Sequence, residues 1–179
     1  MRTFCLIMIL LTGCTATDRG TSGIDPGTEP GESAASRDEG DMRILAEGAI
    51  GALASGDVRM DGRQAPWMEL AESEQQFRSL WRQYVGSEEL PKIDFDRMSA
   101  VFLLLPVQRS GGYAIQPRSI TRQGERIVID ATLVQPRKGE MTTQALTAPY
   151  AVVALAKGDS ISQIEWSSEG RAVARRDVE

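Results

Sequence analysis

The clearest pattern along the chain is a helical repeat of large apolar residues. These residues follow the spacing i, i+3, i+4, i+7, which places them on one face of a helix: Phe77, Leu80, Trp81 and Tyr84. Ser73, with Gln76 three residues later, has the pattern of an N-terminal capping box. Gly86 then interrupts the repeat. The pattern predicts one amphipathic helix that begins after Ser73 and ends near Gly86.

Most other apolar residues occur in short runs that are typical of β-strands. The continuous run 100–105 predicts a strand buried on both faces, and 126–134 predicts another strand. Two glycines within 43–53 favour a strand with a bulge or bend over a helix. Further strands are expected at 67–70, 113–121, 150–155 and 161–166. One helix followed by many short strands indicates an α+β fold, with a mainly antiparallel β-sheet or a small sandwich.

The N-terminus has the pattern of an export signal. Arg2 precedes the apolar run 4–11, and Thr12-Gly13-Cys14 follows it. The run is too short to cross a bilayer, which takes about 20 apolar residues. Residues 11–14 resemble the bacterial lipobox, and this resemblance implies cleavage after residue 13 and lipidation of Cys14. An ordinary signal peptide with a chance cysteine is the alternative.

The expected lipid anchor fixes the expected location of the protein. Two or three acyl chains on Cys14 would hold the protein lastingly on a membrane. Thr15 and Ala16 follow the cysteine and no aspartate adjoins it, which favours the outer membrane in a cell that has two. We therefore expect a lipoprotein of the cell envelope that faces away from the cytoplasm.

Composition along the chain divides it into four parts. Residues 15–40 are rich in Thr, Gly, Ser, Pro, Asp and Glu, so they lack the apolar surface that would offset the entropy of ordering. We expect a signal peptide at 1–13 and the lipidated cysteine with a disordered tether at 14–41. A single globular domain should follow at 42–167, with a polar tail at 168–179.

Charge and reactive residues exclude several classes of function. The chain has 20 Lys+Arg, 25 Asp+Glu and no histidine, so its net charge of −5 gives no basis for binding nucleic acid. The two cysteines are Cys5, in the signal, and Cys14, so the mature chain has neither imidazole nor free thiol for a nucleophile or a zinc site. We expect no enzymatic activity, no cofactor and no metal. An enzyme with a carboxylate or Ser-Lys site, which needs a deep polar pocket, is the last alternative.

Three segments, taken in order, resemble a known family. They are Ile93-Asp94-Phe95-Asp96, Ser110-Gly111-Gly112-Tyr113, and Met141-Thr142-Thr143-Gln144-Ala145-Leu146-Thr147-Ala148-Pro149-Tyr150. Their order and spacing resemble the PrcB C-terminal domain family, named after a subunit of a bacterial surface protease complex, over residues 74–157. This chain has Pro106 and Arg109 where the family often has glycine and proline. The resemblance implies an accessory protein that binds or stabilises a secreted protease, with a binding surface near the two later segments.

The residues of those two segments suit a binding surface on physical grounds. Gly111 and Gly112 allow positive φ and close backbone approach, and Tyr113 is a rigid amphipathic anchor. The alternative is a tight hairpin in which Tyr113 caps the core. Segment 139–149 is either a recognition loop or an ordinary crossover, and Met141 is expected to fill a gap in the core. The predicted partner-binding residues are Ser110, Gly111, Gly112, Tyr113, Thr142, Thr143, Gln144, Pro149 and Tyr150.

Together these patterns indicate a membrane-anchored protein-binding module that assists or stabilises a secreted protease or another envelope protein complex. The alternative is a protease inhibitor that uses the same loops. The Gly-Gly-Tyr segment at 111–113 is similar to the tip of chagasin-type cysteine-protease inhibitors.

Overall fold

The computed structural model describes residues 38–39, 42–51, 63–86, 89–158 and 161–178. The expected signal peptide, Cys14 and most of the expected tether lie outside the described residues. In chain order the described elements are β1 (Asp38–Glu39), β2 (Met42–Gly51), β3 (Trp67–Ala71), α1 (Glu74–Tyr84), β4 (Met98–Leu104), β5 (Ala114–Gln123), β6 (Arg126–Val134), β7 (Thr147–Ala156), β8 (Gln163–Ser168) and β9 (Arg171–Asp177).

The strands form two sheets. One has five strands in the order β1-β5-β6-β8-β9, and the other has four in the order β2-β7-β4-β3. Neighbouring strands are antiparallel except β6 and β8, which run parallel. The described part of the chain is thus mostly β-sheet with one short helix, which agrees with the expected α+β class in its coarse form.

Strand β4 is buried on both faces, as its unbroken apolar run predicted. Val101 and Leu103 pack with Ile129 and other residues of the five-stranded sheet, so one hydrophobic cluster joins the two sheets. Phe102 and Leu104 point to the opposite face, where they pack with the helix. Successive side chains of a strand face opposite ways, so this single strand supplies both clusters.

Helix α1 begins at the predicted cap. The N–H of Gln76 donates to the hydroxyl of Ser73 at 3.3 Å. The side-chain oxygen of Gln76 accepts the N–H of Glu72 at 2.9 Å, one residue earlier than a standard capping box would place the bond. Phe77 and Trp81 are buried against β4, which fixes the helix on the four-stranded sheet.

The segment at 43–53 contains the expected strand, β2. Its pairing with β7 shifts between Ile44 and Ala46, so the bulge lies at Leu45 and not at a glycine. Gly48 has another role, because a β-carbon there would lie 3.1 Å from the hydroxyl oxygen of Tyr150. This glycine lets the tyrosine ring pack across the strand.

Both expected ends of the domain need correction. Residues 38–39, assigned to the tether, form β1 and pair with β5. The expected polar tail contains β9 (Arg171–Asp177), which pairs with β8 apart from a bulge at Val173. Val173 and Ala174 of β9 pack on the core, while Arg171 and Arg175 are exposed, as is common in an edge strand.

Within the described ranges, no helix has the length and apolar character needed to cross a membrane.

Candidate partner-binding surface

The two loops that carry the predicted partner-binding residues meet at one end of the sheets. The N–H of Gly111 donates to the carbonyl oxygen of Thr143 at 2.9 Å. The hydroxyl of Thr147 donates to the carbonyl oxygen of Ser110, also at 2.9 Å. These bonds join segments more than 30 residues apart in sequence. We call residues 110–113 and 141–144 the loop surface.

An isolated β-bridge lies between the loop surface and the four-stranded sheet. The N–H of Gln108 donates to the carbonyl oxygen of Thr147 at 2.7 Å, and the reverse bond is 3.0 Å long. Gln108 lies just after β4 and Thr147 begins β7, so the bridge extends the pairing of these two strands towards the loops. The loops therefore leave adjacent points of the four-stranded sheet.

The close packing of the loops leaves little room for a side chain at Gly111 and Gly112. Gly112 has a φ of 87°, and a β-carbon there would lie 3.1 Å from both Pro136 Cβ and Thr142 Cγ2. A β-carbon on Gly111 would collide with the hydroxyl of Thr143. The sequence predicted close approach at these glycines, and the structure shows that the approaching group is the second loop.

Met141 is the most exposed large apolar side chain among the described residues. Its exposure is 99%, and Ile44 at 45% is the other exposed large hydrophobic residue there. The expectation that Met141 fills a gap in the core is wrong, because the residue lies on a loop beyond the end of the sheet. An unbranched, flexible thioether in this position can adapt to an apolar partner.

Two of the predicted surface residues are instead part of the core. Pro149 has a fully buried side chain and Tyr150 is 4% exposed, and both belong to strand β7. Tyr150 packs in the cluster between the four-stranded sheet and the helix. The sequence places Pro149 in the segment 139–149 and Tyr150 at the start of the next strand, because the apolar run that marks β7 starts only at Tyr150. In the folded protein neither can form a partner surface.

The other predicted residues remain accessible. Gly112, Thr143 and Gln144 are exposed, whereas Ser110, Tyr113 and Thr142 are half-buried. Because Tyr113 is half-buried, its burial favours neither the anchor nor the core-capping interpretation over the other. The loop surface thus combines small polar residues with one tyrosine and one exposed methionine.

An open depression of about 530 Å³ adjoins the loop surface. Its lining residues are Gly112, Val134, Gln135, Arg137, Lys138, Gly139 and Glu140. The N–H of Arg137 donates to the carboxylate of Glu140 at 2.7 Å, and the N–H of Glu140 donates back to the carbonyl of Arg137 at 3.0 Å. These two bonds close the turn and leave both cationic side chains exposed.

The carboxylates of the described residues do not converge. No group of three or more acidic residues placed to hold a metal ion occurs within the described ranges. The carboxylate of Asp94 accepts the N–H of Asp96 at 3.1 Å, so it stabilises the turn before β4.

Comparison with known proteins points to one family. Residues 100–156 match the family model described as PrcB C-terminal, which confirms the resemblance found in the sequence. The matched segment runs from within β4 to the end of β7 and contains the whole loop surface. No curated protein and no solved structure shows significant similarity to the chain.

Proposed function

We propose that this protein is a binding module that assists or stabilises a secreted protease or another envelope protein complex, because residues 100–156 match the family model described as PrcB C-terminal. The family is an accessory-subunit domain and not a catalytic one, and it indicates a general role in protease complexes. The loop surface is the proposed contact site.

The observation that carries the proposal is the exposed Met141 beside two joined loops. Bonds from Gly111 and Thr147 hold the loops together, so the surface is formed before any partner arrives. An apolar side chain in water gains free energy on burial, at roughly 25 cal/mol per Å² of apolar area. A pre-formed surface also loses little entropy on binding. Both features favour contact with a protein.

The proposal also places the protein at the membrane. Its support is the pattern of residues 4–14, which predicts a cleaved signal and lipidation of Cys14. Mass spectrometry of the N-terminal peptide from the native protein should find Cys14 as a diacylated or triacylated first residue. An intact Met1, or a first residue without lipid, would exclude the anchor.

Capture of partners tests the loop surface. The full chain with an affinity tag, expressed in its own host, should recover a protease or envelope protein from membrane extracts after crosslinking. Met141→Thr should reduce recovery by roughly tenfold, equivalent to about 1.4 kcal/mol. Ile44→Thr is the matched control, since it removes the other exposed large hydrophobic residue of the described chain.

Equal recovery by wild type and Met141→Thr would exclude the loop surface as the contact site. Recovery of no envelope protein by the wild-type chain would exclude the accessory role itself.

An inhibitor that uses the same loops remains the second candidate. The full exposure of Met141 on a pre-formed loop is compatible with entry into a protease cleft. This alternative requires saturable inhibition of a captured protease by the full chain. Unchanged or increased protease activity on binding supports the accessory role instead.

A further inference from the structure

We infer that the partner contributes an extended, acidic segment that pairs with the free end of strand β6 and lies against Arg137 and Lys138. The inference rests on the proposed function, because it adds a second contact, next to the loop surface, for the same partner. It depends on two observations about neighbouring parts of the chain. One edge of β6 lacks a neighbouring strand, and two cationic side chains lack an ion pair among the described residues.

At the end of β6, residues 132–134 have an unpaired edge on the β8 side, beyond the bond that Trp166 makes to Ala131. The pairing of β6 with β8 runs from Arg126 and Gln163 to Asp130 and Ser167. On that side, no described strand pairs with residues 131–134. The other side of the same residues is paired with β5. Strand β6 thus extends beyond its neighbour β8, towards the end of the sheet where the loop surface lies.

The backbone groups at this edge are directed outward from β6. The indole N–H of Trp166, on β8, donates to the carbonyl oxygen of Ala131 at 3.3 Å. This carbonyl therefore points to the β8 side of the strand. Because backbone groups alternate in direction along a strand, the N–H and C=O of Leu133 point the same way. The carbonyl of Ala131 is occupied by Trp166, so Leu133 is the residue that offers an N–H and a C=O at this edge. An unpaired edge of this kind can accept an added strand.

Two cations follow the free edge directly. Arg137 and Lys138 are exposed and line the depression beside Gly112. Among the described residues neither cation has an ion pair. The carboxylate of Glu140 accepts the backbone N–H of Arg137 and not the guanidinium. The cationic groups are therefore available to a partner.

The local charge is opposite to that of the whole chain. The two segments 106–113 and 135–146 contain the cations Arg109, Arg137 and Lys138 and the single carboxylate of Glu140. The chain as a whole has a net charge of −5. A positive region on a negative protein steers an acidic partner towards one place and repels it elsewhere.

A polypeptide can bind both the unpaired edge of β6 and the two cations. A lipid or a nucleic acid can bind only the cations. Pairing with the β6 edge needs alternating N–H and C=O groups, which an extended peptide supplies. The carboxylates of the same peptide can then reach Arg137 and Lys138. We therefore commit to an acidic peptide segment of the partner protein.

A set of synthetic octapeptides separates the two contributions. The probe alternates valine and glutamate, and its binding to the purified full chain is measured by fluorescence anisotropy. One comparison peptide has lysine in place of glutamate, and a second retains glutamate but is N-methylated at alternate residues to block strand pairing. Each comparison peptide should bind roughly tenfold more weakly, a loss of about 1.4 kcal/mol.

Protein variants locate the site. Arg137→Gln with Lys138→Gln should weaken binding of the valine–glutamate peptide roughly tenfold, and added salt should narrow the difference. Lys92→Gln with Arg97→Gln is the matched control, because it removes the same net charge. Arg97 lies immediately before the start of β4, at the opposite end of that strand from Arg109. The control variant should bind within about twofold of wild type.

The inference is overturned if the lysine peptide or the N-methylated peptide binds as tightly as the valine–glutamate peptide. Vesicles that contain anionic lipid provide a further comparison. If the Arg137/Lys138 variant loses vesicle binding and retains peptide binding, the cations serve a membrane surface and the inference is wrong. If that variant still captures the native partner while Met141→Thr does not, the inference fails and the proposed function stands.

Discussion

Gly111 and Thr143 are joined by a backbone hydrogen bond of 2.9 Å, and no β-carbon fits on Gly111 without meeting the hydroxyl of Thr143. The two residues belong to different loops, which the chain brings together through the pairing of β4 with β7. Mutations at this contact therefore test whether the two loops pack together as the structure shows. This packing can be tested without knowledge of the partner.

We expect Gly111→Ala to lower the free energy of unfolding by about 1 kcal/mol, because the hydroxyl of Thr143 must leave its rotamer. In a Thr143→Ala background the same change should have little effect or stabilise slightly, since alanine restricts the unfolded chain more than glycine does. Urea denaturation of the four proteins in this double-mutant cycle measures the coupling. If Gly111→Ala lowers the free energy of unfolding equally in both backgrounds, the added methyl group does not contact the Thr143 hydroxyl.

Gly112 allows a second comparison, with Gly124 as its control. Both glycines have positive φ, 87° and 63°, but only Gly112 has neighbours near the position of a β-carbon. Alanine at Gly124 should destabilise by about 1 kcal/mol through backbone strain alone. Alanine at Gly112 should destabilise by about 2 to 3 kcal/mol, because contacts with Pro136 and Thr142 add to the strain. If the two alanine variants lose the same thermal stability, the loops are not closely packed around Gly112.

The sequence predicted the central elements because their patterns are local. The apolar run of β4 and the capped repeat of α1 need no knowledge of the rest of the chain, and both are confirmed. Strand β9 was missed for a physical reason: an edge strand has one open side, so charged residues such as Arg171 and Arg175 are tolerated in it. Without its partner β8, the segment looks like a polar tail.

The loop surface was predicted in part. Gly111 and Gly112 marked one loop correctly, because glycine pairs signal close backbone approach. Pro149 and Tyr150 were placed wrongly, since their burial depends on pairing with β2 and β4, which the sequence does not display. Met141 was expected in the core because methionine is usually buried, and its exposure depends on the position of its loop beyond the sheet.

Glu165 should be the most stabilising carboxylate of the five-stranded sheet. It is 8% exposed and accepts from Arg175 at 2.7 Å and from Arg126 at 3.4 Å, so it links β6, β8 and β9. Glu165→Gln should destabilise by about 1 to 2 kcal/mol, less than a fully buried pair would, because both arginines are partly exposed. Glu74→Gln is the control, since Glu74 forms an exposed helical pair with Arg78 and should change stability by about 0.5 kcal/mol or less. If Glu165→Gln and Glu74→Gln lower the urea midpoint by the same amount, Glu165 does not link the three strands.

Met141 should be the first of the described methionines to be oxidised. Peroxide reaches a thioether according to its exposure, and Met141 is 99% exposed while Met68 is 5% exposed. Peptide mapping after brief peroxide treatment of the folded protein should find the sulfoxide at Met141 on the order of tenfold sooner than at Met68. Comparable rates at both residues would show that Met141 is covered in solution.

The same oxidation tests the proposed contact, because the sulfoxide is polar where the thioether is apolar. If Met141 packs against the partner, oxidised protein should capture less of it, and treatment with a methionine sulfoxide reductase should restore capture. Met141→Leu retains an apolar side chain and cannot be oxidised, so it should capture the partner before and after peroxide. Loss of capture by the oxidised leucine variant would assign the effect to another residue. Capture that persists in the peroxide-treated leucine variant and is lost in treated wild type identifies Met141 as the group that the partner covers.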